Sequence, residues 1–195
     1  MVARDRVPVY VLAGGKSSRL GQDKALVDVR GEPLIARVVR SLQPVAERIT
    51  LVADEPERLR RLGLRIVTDI EPGLGPMAGL QAALRDLGST GWLLAASCDL
   101  VGLRSGWLRR LLQARHDDAD AVAFRGETWQ PLPALFSAAI AAEVDQAIEA
   151  RQLALWRILA RARTVEVPMP SDWDEAVDVD DPAALERARL ERPDR

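Results

Sequence analysis

Val7-Pro-Val-Tyr-Val-Leu12-Ala-Gly-Gly-Lys-Ser-Ser-Arg19-Leu-Gly-Gln-Asp-Lys24 starts with a short apolar run that ends at paired glycines and continues into basic side chains. The apolar run from Val7 to Leu12 reads as a buried strand. Gly14 and Gly15 permit tight backbone approach, so the amides that follow the strand can point at phosphate oxygens or at a base edge. Arg19 offers a planar fork and Lys24 a mobile point charge, both present at neutral pH without activation. The bland alternative is a strand-to-helix turn with solvated basic residues. Gly-Lys-Ser lacks the upstream glycine of a P-loop, and the third glycine of a dinucleotide fingerprint is missing.

Outward from this stretch, short β-like runs alternate with amphipathic segments. Helical spacing follows Pro33 through Ile35, Val38, Val39 and Leu42, and Arg48–Ala53 reads as a second strand. A charged helix over 56–62, a third strand over 64–68 and a Gly/Pro loop over 71–76 lead into a helix carrying Leu80, Ala83, Leu84 and Leu87. Trp92–Ser97 is apolar throughout, as in a central strand covered on both faces. A helix over 106–115, strands over 121–124 and 132–136, one long Ala-rich helical region over 137–161, a strand over 164–167 and a final helix through Leu185 complete the pattern. Alternation of this kind predicts an α/β fold, a three-layer domain with a largely parallel central sheet. At 195 residues one domain over 1–195 accounts for the chain.

Composition narrows the chemistry. A net charge of −2 gives no footprint for nucleic acid or an anionic membrane, and no apolar run reaches spanning length, so a cytoplasmic protein is expected. With one cysteine and one histidine, an internal disulfide, a Cys-rich metal site and a His-based triad are excluded or improbable. Cys98 reads as a small buried hydrophobe, and His116 as a solvated residue at a helix end.

Acidic residues carry the remaining signal. Asp99 follows the apolar strand, at the carboxyl edge where open parallel sheets bind ligands. A carboxylate there suits Mg²⁺ shared with substrate phosphates; a plain helix cap is the alternative. Gly73, Gly75, Pro76 and Gly79, preceded by Asp69, form either an ordinary connection or a cradle for base or ribose. In Asp178-Val-Asp180-Asp181, Asp178 or Asp180 offers a second metal-facing carboxylate, although Asp181-Pro182 is also an ordinary helix start.

Taken in order, Leu12-Ala-Gly-Gly-x-x-x-Arg19-x-Gly21-x-Asp23-Lys24, Gly75-Pro-Met-Ala-Gly79, Cys98-Asp99-Leu100, Gln130-Pro-Leu-Pro-Ala-Leu135 and the tail from Asp178 to Leu185 resemble the molybdenum cofactor nucleotidyltransferases, the guanylyltransferases in particular. The resemblance implies a Rossmann-like, GT-A-like domain, with a nucleotide-binding part over about 1–105 and an acceptor-binding part over about 106–195. It implies nucleotide contacts from Leu12, Ala13, Gly14, Gly15, Lys24, Asp54, Asp69, Gly75 and Asp99, and catalytic roles for Arg19, Lys24 and Asp99. Asp99 would hold the Mg²⁺ cofactor, joined by Asp178 or Asp180.

The implied reaction transfers GMP from GTP to the terminal phosphate of molybdopterin or Mo-molybdopterin, with transient contact to other cofactor-biosynthesis proteins. Asp54 stands where the guanylyltransferases usually carry Asn. Val101-Gly102 lacks the usual Pro, Gln130 and Pro133 replace His and Phe, and Asp180-Asp-Pro182 replaces Asn-Thr-Pro. These departures leave the acceptor open. Gly14 and Gly75-Pro76 favour GTP, whereas the acidic tail is closer to the CTP-using relatives. A CTP enzyme, transfer to another phosphorylated metabolite such as phospholactate, and a nucleotide-sensing protein without chemistry are the alternatives.

Overall fold

The computed structural model describes residues 5–14, 23–69, 71 and 73–190. In chain order these form β1 (Val7–Leu12), the hairpin strands β2 (Asp28–Val29) and β3 (Glu32–Pro33), α1 (Leu34–Leu42), β4 (Ala46–Ala53), β5 (Arg65–Thr68) and α2 (Pro76–Leu87). They continue through β6 (Trp92–Ser97), β7 (Leu100–Val101), α3 (Ser105–Ala114), β8 (Ala121–Arg125), β9 (Trp129–Ser137), α4 (Ala141–Glu149), α5 (Leu155–Arg161), β10 (Thr164–Pro168), β11 (Val177–Asp178) and α6 (Pro182–Leu190).

Seven strands make one sheet in the order β10-β8-β9-β6-β1-β4-β5. β9 alone runs antiparallel to its neighbours, β6 and β8; every other pairing in that sheet is parallel. Alternation along β1 shows why helices must cover both faces. Val7, Val9 and Val11 enter one core with residues of α1, α3 and α6, while Tyr10 and Leu12 enter another with residues of α2, α4 and α5. β6 divides the same way, Leu94 and Ala96 to the first core, Leu93 and Ala95 to the second. Full burial of each large aliphatic side chain contributes roughly 1.5–3 kcal/mol.

The chain places β4 on one side of β1 and later β6 on the other. Strand order reverses at β1, and Leu12 pairs with both Val52 and Ser97 at the carboxyl edge. Chain leaving neighbouring parallel strands in opposite directions opens a crevice there. α2 seats closely against it, since a Cβ at Gly79 would stand 3.1 Å from Leu12 Cδ2.

Two expectations need correction. The segment over 56–62 is 3₁₀ rather than α-helical, ending at Gly63 with φ of 67°. The helical region over 137–161 is not continuous: Ser137 ends β9, and α4 and α5 are separated by residues 150–154. Gln152 N–H bonds back to the Ala147 carbonyl and Arg151 N–H to that of Ile148, the paired bonds of a Schellman stop. The left-handed position in that turn is Arg151, with φ of 55°, so the glycine that would have marked the break is absent. Removing the Cβ should relieve strain by more than the extra chain entropy costs. Arg151→Gly is expected to stabilise the protein by about 0.5–1 kcal/mol, read as a higher urea midpoint at unchanged slope; an equal or lower midpoint would contradict this reading of the turn.

Candidate nucleotide and metal site

A cleft of about 470 Å³ lies at the carboxyl edge, with Leu12, Ala13 and Gly14 after β1, Asp69 after β5, Gly75 before α2, and Asp99 after β6 on its walls. Lys24, Asp178 and Asp180 line it as well, so nine of the residues expected from sequence share one cavity. Asp54 does not line it; the residue reaches the site through an ion pair with Arg58, 3.2 Å from Asp54 Oδ1 to Arg58 Nη2. Gly15 and Arg19 lie outside the described residues.

The C-terminal segment is brought back to the first half by a short ladder. β11 pairs antiparallel with β7, Asp178 opposite Leu100, and Val179 N–H donates to the Asp99 carbonyl at 3.0 Å. Upstream, Trp173 packs 5.2 Å from Trp107 and 5.5 Å from Phe124, ring centre to ring centre. Trp107 Nε1–H donates to Asp172 at 3.0 Å. These contacts fix the tail so that Asp99, Asp178 and Asp180 bring ligand oxygens within 4.8 Å of one another.

Lys24 stands among them. Its ammonium lies 2.6 Å from Asp99 Oδ2 and 3.8 Å from Asp178 Oδ1, and it donates to Asp180. Burial opposes the Lys24 charge, yet the hydrogen bonds to Asp180 and Asp99 prevail and hold its pKa above the ordinary lysine value. Burial, then the Asp99 and Asp180 charges, push Asp178 up to about 6 against the opposing pull of Lys24. An all-oxygen set of three carboxylates fits a hard cation such as Mg²⁺. Cys98 beside it is buried, and burial pushes its thiol far up, which leaves a neutral hydrophobe and not a nucleophile. His116 is exposed just beyond α3, away from the cleft lining.

Sequence reasoning missed Arg58, and it read Asp23 and the Gln130–Leu135 stretch as motif residues without placing them in the site. Arg58 has no distinguishing local signal, since it sits in a run with Arg60 and Arg61; only its spacing of four from Asp54 hinted at a pair. In β9 the register against β8 jumps between the pairs Ala123↔Ala134 and Phe124↔Gln130. The extra residues turn Gln130, Pro131 and Leu132 into the cleft wall. Among the described lining residues, five carboxylates (Asp23, Asp69, Asp99, Asp178, Asp180) face two cations, Lys24 and Arg58. Added positive charge would favour a polyphosphate in a cleft lined this way.

Asp69 is 8% exposed, and its Oδ1 is buried with no hydrogen-bond partner among the described residues. A Cβ on Gly14 would come within 2.8 Å of Asp69 Oδ2, so only glycine lets the strand end and this carboxylate approach. Burial, reinforced by the Asp54 charge and opposed by Arg58, pushes Asp69 up from 3.8 to about 6. A raised carboxyl means the folded state binds the proton more tightly. Stability is therefore fully present below the unfolded value and falls as pH rises from about 4 through about 6, by roughly 3 kcal/mol at most. Asp69→Asn is expected to raise the melting temperature by several degrees at pH 7 and to change it little at pH 4; an equal shift at both pH values would exclude the buried charge as the cause.

The MobA-like NTP transferase domain model matches residues 9–167. A molybdenum cofactor guanylyltransferase of Pseudomonas putida is 31% identical over 78% of this chain and 82% of its own length. A Synechococcus elongatus protein named "Probable molybdenum cofactor guanylyltransferase" is 30% identical over 92% of this chain and 96% of its own. Among solved structures, molybdopterin-guanine dinucleotide biosynthesis protein A from Archaeoglobus fulgidus has the same fold, with a TM-score of 0.75 at 23% identity over 94% of this chain and 97% of that one. Matched over most of its length by the family model and by these relatives, the chain belongs to the MobA-like NTP transferase family and is a nucleotidyltransferase.

Proposed function

We propose that the chain transfers GMP from GTP to the terminal phosphate of molybdopterin or Mo-molybdopterin, forming the guanine dinucleotide cofactor and pyrophosphate. The observation that carries this reading is the meeting of Lys24 with Asp99, Asp178 and Asp180 beside the Ala13–Gly14 strand end, in a family whose relatives bear the guanylyltransferase name. An acceptor phosphate oxygen would attack the α-phosphorus of GTP, and the bond from that phosphorus to the β-phosphate oxygen would break. The acceptor is already anionic at neutral pH, so no general base is needed, in keeping with a neutral Cys98 and with His116 not being part of the cleft lining. Mg²⁺ held by Asp99 with Asp178 and Asp180 would neutralise phosphate charge. Lys24 would bind and orient phosphate oxygens, and Gly14 would keep the backbone close to the nucleotide.

The base preference has a chemical argument. Guanine presents two neighbouring N–H donors on its pairing edge, and Asp69 is the buried acceptor on the cleft wall. Cytosine offers one donor there. In this reading the β9 bulge, with Gln130 and Leu132, belongs to the acceptor side, and the reaction takes place in the cytoplasm.

Pyrophosphate release measured for GTP, CTP, ATP and UTP against molybdopterin-type acceptors tests the reading directly: turnover confined to GTP is expected, and turnover with CTP instead would reassign the donor. Lys24→Ala and Asp99→Ala are each expected to lower turnover by about two orders of magnitude. Near wild-type turnover of Asp99→Ala at saturating Mg²⁺ would refute the metal assignment. Without nucleotide, Lys24→Ala should bind Mn²⁺ more tightly, because the ammonium that competes for the three carboxylates is gone; weaker Mn²⁺ binding would place the ion elsewhere.

A further inference from the structure

Arg58 makes three contacts that no other described side chain of the cleft combines. Its Nη2 donates to the Ala13 carbonyl at 2.5 Å, its Nη1 forms an ion pair with Asp23 Oδ2 at 2.6 Å, and Nη2 lies 3.2 Å from Asp54 Oδ1. The guanidinium thus spans the end of β1, the residue preceding Lys24, and the end of β4. Asp23 uses its other oxygen, Oδ1, to accept from Ala25 N–H at 3.1 Å, capping the 3₁₀ turn Lys24–Leu26. One carboxylate therefore joins Arg58 to the turn that aims Lys24 at Asp99 and Asp180. The side chain is four-fifths buried and approaches from the segment between β4 and β5, an element that otherwise contributes nothing to the cleft lining.

We propose that Arg58 is a positioning residue for nucleotidyl transfer: its guanidinium sets the distance between the Ala13–Gly14 strand end and Lys24, acting through Asp23. The proposal rests on the transfer reading above for its kinetic consequence. Its structural basis stands without that reading. A planar fork suits this arrangement because two separate nitrogens divide the acceptors, Nη1 to Asp23 and Nη2 to the Ala13 carbonyl and Asp54, whereas a lysine at position 58 has one nitrogen to set among them. Asp54, for which the resemblance implied a nucleotide contact, is reassigned as one of the groups that hold Arg58.

The test uses Arg58→Met, which keeps the apolar stem, Arg58→Lys, which keeps the charge, and Asp23→Asn, alone and combined with Arg58→Met. In the ligand-free protein, exchange of the Ala25 amide hydrogen should be about threefold faster or more in Arg58→Met, while the slowest-exchanging core amides of the same variant keep their wild-type rates. With GTP and acceptor, Arg58→Met and Arg58→Lys should each lose about tenfold or more in kcat, with the acceptor KM little changed. The double variant should lose no more than Arg58→Met alone, because both changes break one connection. Unchanged Ala25 exchange, losses that multiply in the double variant, or full turnover in Arg58→Lys would each overturn the assignment. Should the wild-type protein form no guanine dinucleotide, the transfer reading fails, while the ligand-free exchange result still decides the role of Arg58.

Discussion

Carboxylates confined to one cavity repel, and the organisation of this protein around its cleft follows from how that repulsion is held. The oxygens of the acidic trio lie within 4.8 Å of one another, and two unit charges at that outer limit oppose each other by roughly 3 kcal/mol at an effective dielectric constant near 20, less where water reaches them. The two described cations of the lining are each shared among several partners: Lys24 serves Asp99, Asp178 and Asp180, and Arg58 serves Asp23 and Asp54 together with a main-chain carbonyl. Neither cation lies near all of its partners in sequence. Tertiary structure is what brings the charges into balance, and an incoming metal and polyphosphate would redistribute that balance.

The opposite edge of the sheet treats polar groups differently. Tyr10, wholly buried in the middle of β1, donates its phenol to Asp86 at 2.7 Å, and Arg65 holds the same carboxylate with Nη2 at 2.6 Å. Burial and the Asp86 hydrogen bond push the Tyr10 phenol up, while the Arg65 hydrogen bond holds Asp86 below its usual range. Tyr10, Asp86 and Arg65 are thus mutually partnered, and the shifts of all three keep them in their ordinary charge states near neutral pH. Asp69, by contrast, is buried with an unpartnered oxygen and a raised carboxyl. At the cleft, that unpartnered acceptor is polar capacity which a ligand could complete.

Much of the fold was legible because its decisive elements carry local patterns. The apolar runs of β1 and β6, the helical spacing of α1, and an aspartate just after a buried strand all follow from alternation and burial within a few residues. What stayed hidden depends on contacts distant in sequence or on a missing marker residue. Arg58 is chemically indistinguishable from Arg60 and Arg61 until the fold places it between Ala13 and Asp23. The break after α4 has arginine where a glycine would have signalled it. The turn of Gln130 into the cleft comes from a register jump that no periodicity in β9 announces. Arg19 and Gly15 fall outside the described residues, so their expected roles rest on sequence alone.

The β7–β11 ladder also makes the acidic trio depend on a segment outside the main sheet. All seven strands of the main sheet are complete at Pro168, and the matched family region ends at residue 167, yet two of the three converging carboxylates come later, at Asp178 and Asp180. The cleft wall and the acidic trio are therefore held by different means: the strands of the main sheet deliver Asp99, while two ladder pairs and the Val179 N–H bond to the Asp99 carbonyl seat the other two carboxylates. A change in that short ladder would displace charge without disturbing the sheet that shapes the cavity.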